Sequence, residues 1–327
     1  MRLYKKAAAC LLTAAMAISM LTACGGGGGN GGNGGGNTPG TLPDPDQIVL
    51  PDPGEGGEGG GAGGGEGTET KPTKTPIAKD SSKLAEFNKK YAGATEFYVE
   101  AQMVEYDEDG SAEDSTDGFV AAKGNSVYMK ATLSGKNQKQ QSIEELMLKE
   151  FDYNNGYVLL RGSKVAVRIS SQKTQSNDNI SLDTLITDTL PDLMWSTKVK
   201  VGPTEYYAEV YNNGSTEHTI CFTADGKPVY RFVRKLNEKQ LDSATLYKTI
   251  QAGSGTSKGL CEMPAGFKKY SFNFMNKTLT DASGNVFTLE PQKNSDGDVT
   301  SVKVLDKTGK DVSDDFKWVY DLYMMFK

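Results

Sequence analysis

The chain has 327 residues, 36 lysines and arginines against 42 aspartates and glutamates, and a single histidine, for a net charge of −6 at neutral pH. An acidic chain without a basic stripe is a poor match for phosphate backbones, so nucleic acid is not an expected partner. Beyond residue 24 no apolar run approaches the roughly 18 residues needed to span a bilayer.

Chain order begins with a short basic start, Arg2, Lys5 and Lys6, followed by an apolar, Ala-rich stretch over residues 7–20. That stretch is too short for a stable membrane helix and has the layout of a secretory signal. It closes on Leu21-Thr22-Ala23-Cys24. This ending strongly resembles the lipobox of bacterial lipoproteins, in which the cysteine thiol is diacylated and the chain is cut just before it. The resemblance implies that residues 1–23 are a signal peptide. It also implies that Cys24 is the lipidated first residue of the mature protein, held on the outer face of the bacterial cytoplasmic membrane. Two acyl chains, at about 0.8 kcal/mol per buried CH₂, anchor a protein where one would not.

Residues 24–79 are rich in Gly, Asn, Pro, Glu, Asp and Thr and nearly devoid of aromatics. Such a segment buries too little apolar surface to offset its ordering entropy, which predicts a disordered tether. Fully stretched it would reach about 190 Å. Ile48-Val49-Leu50 interrupts its polarity, either as a chance triplet or as a weak docking motif.

Ser82 is a plausible N-cap, with Leu84, Phe87 and Tyr91 at helical spacing and Gly93 as the stop. Alternating strands follow: Phe97, Val99, Ala101 and Met103 on one face, then 119–122 and 127–133 around Gly124-Asn125, then 157–161 and 165–169 around Gly162-Ser163. Over 181–195 the period changes. Leu182, Leu185, Ile186, Leu190, Leu193 and Met194 fall on one side of a predicted helix that Pro191 should kink or split. A meander is predicted over 206–211, 216–222 and 229–233, with Asp225-Gly226 as a hairpin turn, and another strand over 245–251. Four more short strand candidates close the chain, at 267–274, 286–289, 300–305 and 316–326.

A helix, a run of antiparallel strands, one mid-chain apolar helix and more strands predict an α+β domain. Residues 80–265 form its body and residues 266–327 a β-rich extension. The element order, with the phrase Thr223-Ala224-Asp225-Gly226-Lys227-Pro228-Val229-Tyr230, resembles the LolA and LppX-type lipoprotein carriers. That likeness implies a curved antiparallel half-barrel with short helices at its mouth. It further implies a hydrophobic or amphipathic ligand, a lipid or glycolipid, with the segment Leu182, Ile186, Leu190, Met194 and Trp195 as a lid. The alternative is an interaction, scaffold or sensor lipoprotein whose sheet is filled by its own side chains. The oligomeric state stays open.

Residues that could carry chemistry are few. Ser170-Ser171-Gln172-Lys173, Ser283-Gly284-Asn285 and Lys307-Thr308-Gly309 mimic the penicillin-binding-protein motifs in order, but each falls at a strand end or a turn. His218 shares a strand face with Ile220 and Phe222, as a packed histidine would, and no nucleophile–base pair is visible. The carboxylates Asp107, Glu108 and Asp109, and Asp296 and Asp298, sit in expected turns and complete no calcium loop. No enzyme activity, metal or other cofactor is expected. Cys221 and Cys261 either bridge or stand as two separate thiols.

Overall fold

The computed structural model describes residues 42–51, 74–136, 138–148, 156–169, 182, 192–212, 214–236 and 238–326. Alternation of apolar side chains along successive runs produces sixteen strands. They are β1 (Ile48–Val49), β2 (Glu96–Tyr106), β3 (Ala112–Lys123), β4 (Ser126–Gly135), β5 (Gln138–Met147), β6 (Tyr157–Leu160), β7 (Val165–Ile169) and β8 (Asp192–Val201). The remainder are β9 (Thr204–Asn212), β10 (Thr216–Phe222), β11 (Pro228–Lys235), β12 (Ser243–Ala252), β13 (Lys268–Asn273), β14 (Thr278–Asp281), β15 (Val286–Lys293) and β16 (Val299–Leu305). They form one open sheet in the order β1-β8-β9-β10-β11-β12-β2-β3-β4-β5-β6-β7-β13-β14-β15-β16. Neighbours run antiparallel except β7 and β13, which are parallel.

Among the described residues two helices, α1 (Lys83–Tyr91) and α2 (Val319–Phe326), pack on the same face. In α1, Phe87 joins Phe97, Val99, Val120 and Met129, and Leu84 joins Tyr211, Ile220 and Phe222. In α2, Val319 and Leu322 join Val158, Val165 and Val167, which the strand register places on that same face. Burying each of these large apolar side chains contributes about 1.5–3 kcal/mol.

The opposite face is covered by two segments of largely irregular chain. Residues 253–267 cross it to carry the chain from β12 to β13, with Leu260, Cys261, Met263 and Phe267 packed on Tyr98, Tyr128 and Leu146. Glu96 latches the start of this crossing, accepting from the Gly255 N–H at 2.8 Å and the Ser257 hydroxyl at 2.9 Å. Further along the sheet, residues 42–51 form a strap. Leu42, Ile48 and Leu50 pack on Val199, Val201, Cys221 and Phe232, and Ile48 and Val49 pair with Val201 and Lys200 at the sheet edge.

Three expectations are corrected. Residues 42–51 of the expected tether are docked, so the Ile48-Val49-Leu50 triplet is a docking motif. Residues 192–195, read as the end of a helix, begin β8, because Pro191 cannot continue a helix and Trp195, Thr197, Val199 and Val201 alternate beyond it. Residues 316–326, read as a strand, form a 3₁₀ turn ending at Phe316 and then α2. The α+β class and the large antiparallel sheet stand as expected.

Candidate functional site

Adjacent strands of the helix face hold two polar groups that the fold has buried. The first is built around the start of α1. Ser82 is the N-cap, its Oγ accepting from the Ala85 N–H at 3.0 Å. The two preceding free donors, the N–H groups of Lys83 and Leu84, are taken by the carboxylate of Glu209 on β9 at 2.5 and 3.2 Å. The Tyr207 hydroxyl at 3.1 Å and the Tyr211 hydroxyl at 2.7 Å donate to the same carboxylate. Burial and that carboxylate push the Tyr207 hydroxyl up to about 12 and the Tyr211 hydroxyl higher still, so both remain donors. A carboxylate at a helix N-terminus satisfies orphan donors and meets the positive end of the helix dipole. The cluster therefore fixes α1 on the sheet.

The second group lies one and two strands away. His218 on β10 and Arg231 on β11 are both almost wholly buried. An Arg231 Nη2–H donates to His218 Nδ1 at 2.7 Å, which leaves Nε2 to carry the imidazole proton toward Thr216 Oγ1 at 2.8 Å. Burial, and secondarily the guanidinium, hold the His218 pKa down at about 3. It is neutral at any physiological pH. Arg231 also meets the Tyr247 hydroxyl on β12.

Between β12 and β5 the same face carries a row of small side chains within its buried core. Tyr247, Ala101, Gly118, Ala131 and Ile143 stand opposite one another on successive strands, with the three smallest at the centre. Met103 and Met129 stand in the rows on either side, unbranched side chains that adapt to irregular shapes.

The residues singled out from sequence are not gathered into one lid. Leu182 is fully buried against α1, and its N–H donates to the Ala94 carbonyl at 3.1 Å. Trp195 is also buried, but on the opposite face, paired with Val210 beneath Lys74, whose Nζ lies 4.4 Å from the ring centroid. Met194 is the bulged residue between Leu193 and Trp195 and is half-buried. Ile186, Leu190, Cys24 and the Ser170–Lys173 motif lie outside the described residues. Ser283-Gly284-Asn285 is a turn closed on Asp281, and Lys307-Thr308-Gly309 a turn closed on Asp306. Asp107 is engaged by Lys136, and Asp109 by the Ser111 N–H.

The possible disulfide is not formed. Cys221 and Cys261 are free and buried on the same face in separate clusters, the first under the strap and the second under the crossing loop. Burial pushes the Cys261 thiol up to about 11 and the Cys221 thiol further. Neither is a nucleophile in that state.

Glu209 and Arg231 escaped the sequence reading. Glu209 did carry a signal. In Tyr207-Ala208-Glu209-Val210-Tyr211 it alternates with small apolar residues and shares its side with two tyrosines. Arg231 carried none, since an arginine within a strand reads by default as solvent-facing.

No protein-family model matches the chain, and no curated protein matches it. Among solved structures the chain is similar to the crystal structure of an uncharacterized conserved protein from Thermus thermophilus. The identity is 14%, over 58% of this chain and 96% of that one, with a TM-score of 0.32. A likeness at that score carries no argument about fold or function.

Proposed function

We propose that the protein is a lipoprotein acylated at Cys24, held on the outer face of a bacterial cytoplasmic membrane, and that it binds a hydrophobic or amphipathic ligand on the helix face of its sheet. In this reading the sheet is a half-barrel and α1 is one of the short helices at its mouth. The observation that supports the reading is the row of small residues on that face. Three adjacent strands place Ala101, Gly118 and Ala131 opposite one another, flanked by methionines and ended by Tyr247, as expected of an apolar groove with one polar end.

A second reading has an observation of its own. Ala101 and Ala131 are nearly inaccessible, as they would be in a scaffold protein whose helix face is filled by its own side chains. The two readings part on one experiment. The full-length protein is extracted from membranes of its bacterial host and its organic extract is analysed by mass spectrometry. A stoichiometric lipid that disappears in Gly118→Leu supports the ligand reading, because the leucine adds bulk at the centre of the small-residue row. Absence of any lipid leaves the scaffold reading. The anchor is tested separately. Cys24→Ser should move the protein out of the membrane fraction, and a variant that still fractionates with membranes overturns the lipidation.

A further inference from the structure

The strand β11 carries two buried arginines on opposite faces, and they are treated differently. Arg234, under the strap, is ion-paired with Glu217 and donates to the Pro51 carbonyl at 2.6 Å. Arg231, on the helix face, is 4% exposed and pairs with no carboxylate among the described residues. Its neighbours are neutral: the His218 imidazole at 2.7 Å and the Tyr247 hydroxyl. Its Nε has no partner at all. The nearest strand position with a carboxylate on the same row is Glu209, across Ile220 on β10. Glu209 is already engaged by two N–H groups of α1 and two tyrosine hydroxyls.

A guanidinium always carries its charge, and a buried charge is retained only where something compensates it. Neutral acceptors compensate it in part, and the planar fork still has donors to offer. A carboxylate or phosphate would take them in the bidentate manner that arginine suits. Position gives the ion a context. Tyr247, which Arg231 touches, is the first residue of the row Tyr247-Ala101-Gly118-Ala131-Ile143. At about 4.8 Å per strand that row runs roughly 19 Å along the helix face. A charge at one end and a row of small side chains beyond it are the two parts from which a site for an amphiphile could be built, the chain lying where the row leaves least side-chain bulk.

We infer that Arg231 is the anchor for an anionic head group, and that the ligand of the helix face is an amphiphile carrying a carboxylate or a phosphate, with its apolar chain along the small-residue row. The inference rests on the ligand-binding reading given above and narrows it to a chemical class. Tyr247 adds a neutral donor to the same head. His218, kept unprotonated, positions the guanidinium by accepting from one Nη2–H, and Nε is left without a partner.

The test uses the full-length protein solubilised at its anchor, with bound ligand counted by native mass spectrometry. Three probes share one oleoyl chain: oleate, 1-oleoyl lysophosphatidic acid and the neutral monoolein. At least one anionic probe is expected to bind tenfold or more tightly than monoolein, and whichever it is identifies the head as carboxylate or phosphate. Arg231→Gln should erase that preference and leave monoolein binding unchanged, whereas Arg231→Lys should retain part of it. A thermal melt without ligand checks folding of each variant. Removing an uncompensated charge should leave the melting temperature unchanged or raise it, and a fall of 10 °C or more would mean the guanidinium is already compensated within the fold and would overturn the inference. Equal binding of all three probes, or a preference that survives Arg231→Gln, overturns the anionic class while leaving the ligand reading intact. Binding of none of the three to a folded protein removes the ligand reading itself.

Discussion

Glu209 shows how much can depend on one carboxylate. It holds two backbone donors of α1 and two phenols, and a glutamine in its place would turn an amide donor toward groups that also donate. Leaving buried donors unsatisfied costs about 1–3 kcal/mol each. Glu209→Gln is therefore expected to destabilise the fold by about 2–4 kcal/mol, read as a lower urea midpoint at unchanged slope; a shift under 0.5 kcal/mol would contradict the role given to the cluster. His218 gives the molecule a defined response to acid. Its folded pKa, about 3, lies below the ordinary 6.5, so the unfolded chain binds the extra proton first. The neutral histidine's contribution is thus present above pH 6.5 and lost as pH falls toward 3, at up to about 1.4 kcal/mol per unit. The exposed aspartates Asp109, Asp225, Asp281, Asp306 and Asp311 are held below the ordinary aspartate value and stay ionised between pH 6.5 and 4.5, while burial raises Glu217 and Asp242, a shift of opposite sign that His218→Asn leaves in place. Urea midpoints between pH 6.5 and 4.5 should therefore fall in the native chain and fall less in His218→Asn. Parallel curves for the two proteins would show that another group governs the response.

At the scale of elements, the strap is the piece most open to test. Ile48 and Leu50 are half-buried apolar residues resting on Val199 and Phe232, and β1 covers part of the exposed edge of β8. Ile48→Asp with Leu50→Asp places two charges against that apolar surface and is expected to cost about 2–3 kcal/mol. The measurable outcome is proteolytic cleavage within residues 42–51 under native conditions, where the unaltered strap is protected. Equal cleavage rates would mean that the strap is not held. The elements differ in how legible they are. β10 reads correctly to both ends because Thr216 to Phe222 alternates and the Asp225-Gly226 turn follows it. In that turn Gly226 has φ +78°, and the Gly226 and Lys227 N–H groups donate to the Thr223 carbonyl and hydroxyl. β5 was missed because Gln138-Lys139-Gln140-Gln141 opens it and two glutamates sit at its centre. Glu144 is buried there only because Lys130 and Arg161, remote in sequence, pair with it. α2 was misread because its aromatics suggest a strand, although Trp318, Val319, Leu322 and Tyr323 form a helical stripe. The buried Arg231 was illegible for the same reason as β5: the chain that covers a strand's face is not written in the strand.

For the whole molecule, the parallel pair β7–β13 joins the last sixty residues to the rest. Val158, Val165 and Val167 share one apolar cluster with Phe272, Leu279, Val304 and Leu322, so residues 266–327 are not a detachable module. Deleting them exposes that cluster, and the shortened chain is expected to lose its single cooperative melt and to aggregate. A soluble 1–265 chain with an unchanged transition for β2–β4 would show two independent units. The docked strap also resets the geometry of the proposed anchor. If Cys24 is acylated, the chain between it and the strap is residues 25–41, which span at most about 60 Å when fully extended. The unhindered tether expected from composition would have reached about three times as far.

The strap has a further consequence, and it concerns time. Residues 42–51 leave the ribosome early, yet what holds them is made late. Pro51 waits 183 positions for Arg234, and Ile48 waits for Val201. Pairings of such sequence separation form slowly, after the local hairpins around them. Until β8 and β11 are in place, Cys221 and Phe232 have no cover on that side, and the strap has nothing to grip. An N-terminal segment is thus among the last parts to find its seat, and the newly emerged chain passes through an interval in which one of its apolar surfaces lies open.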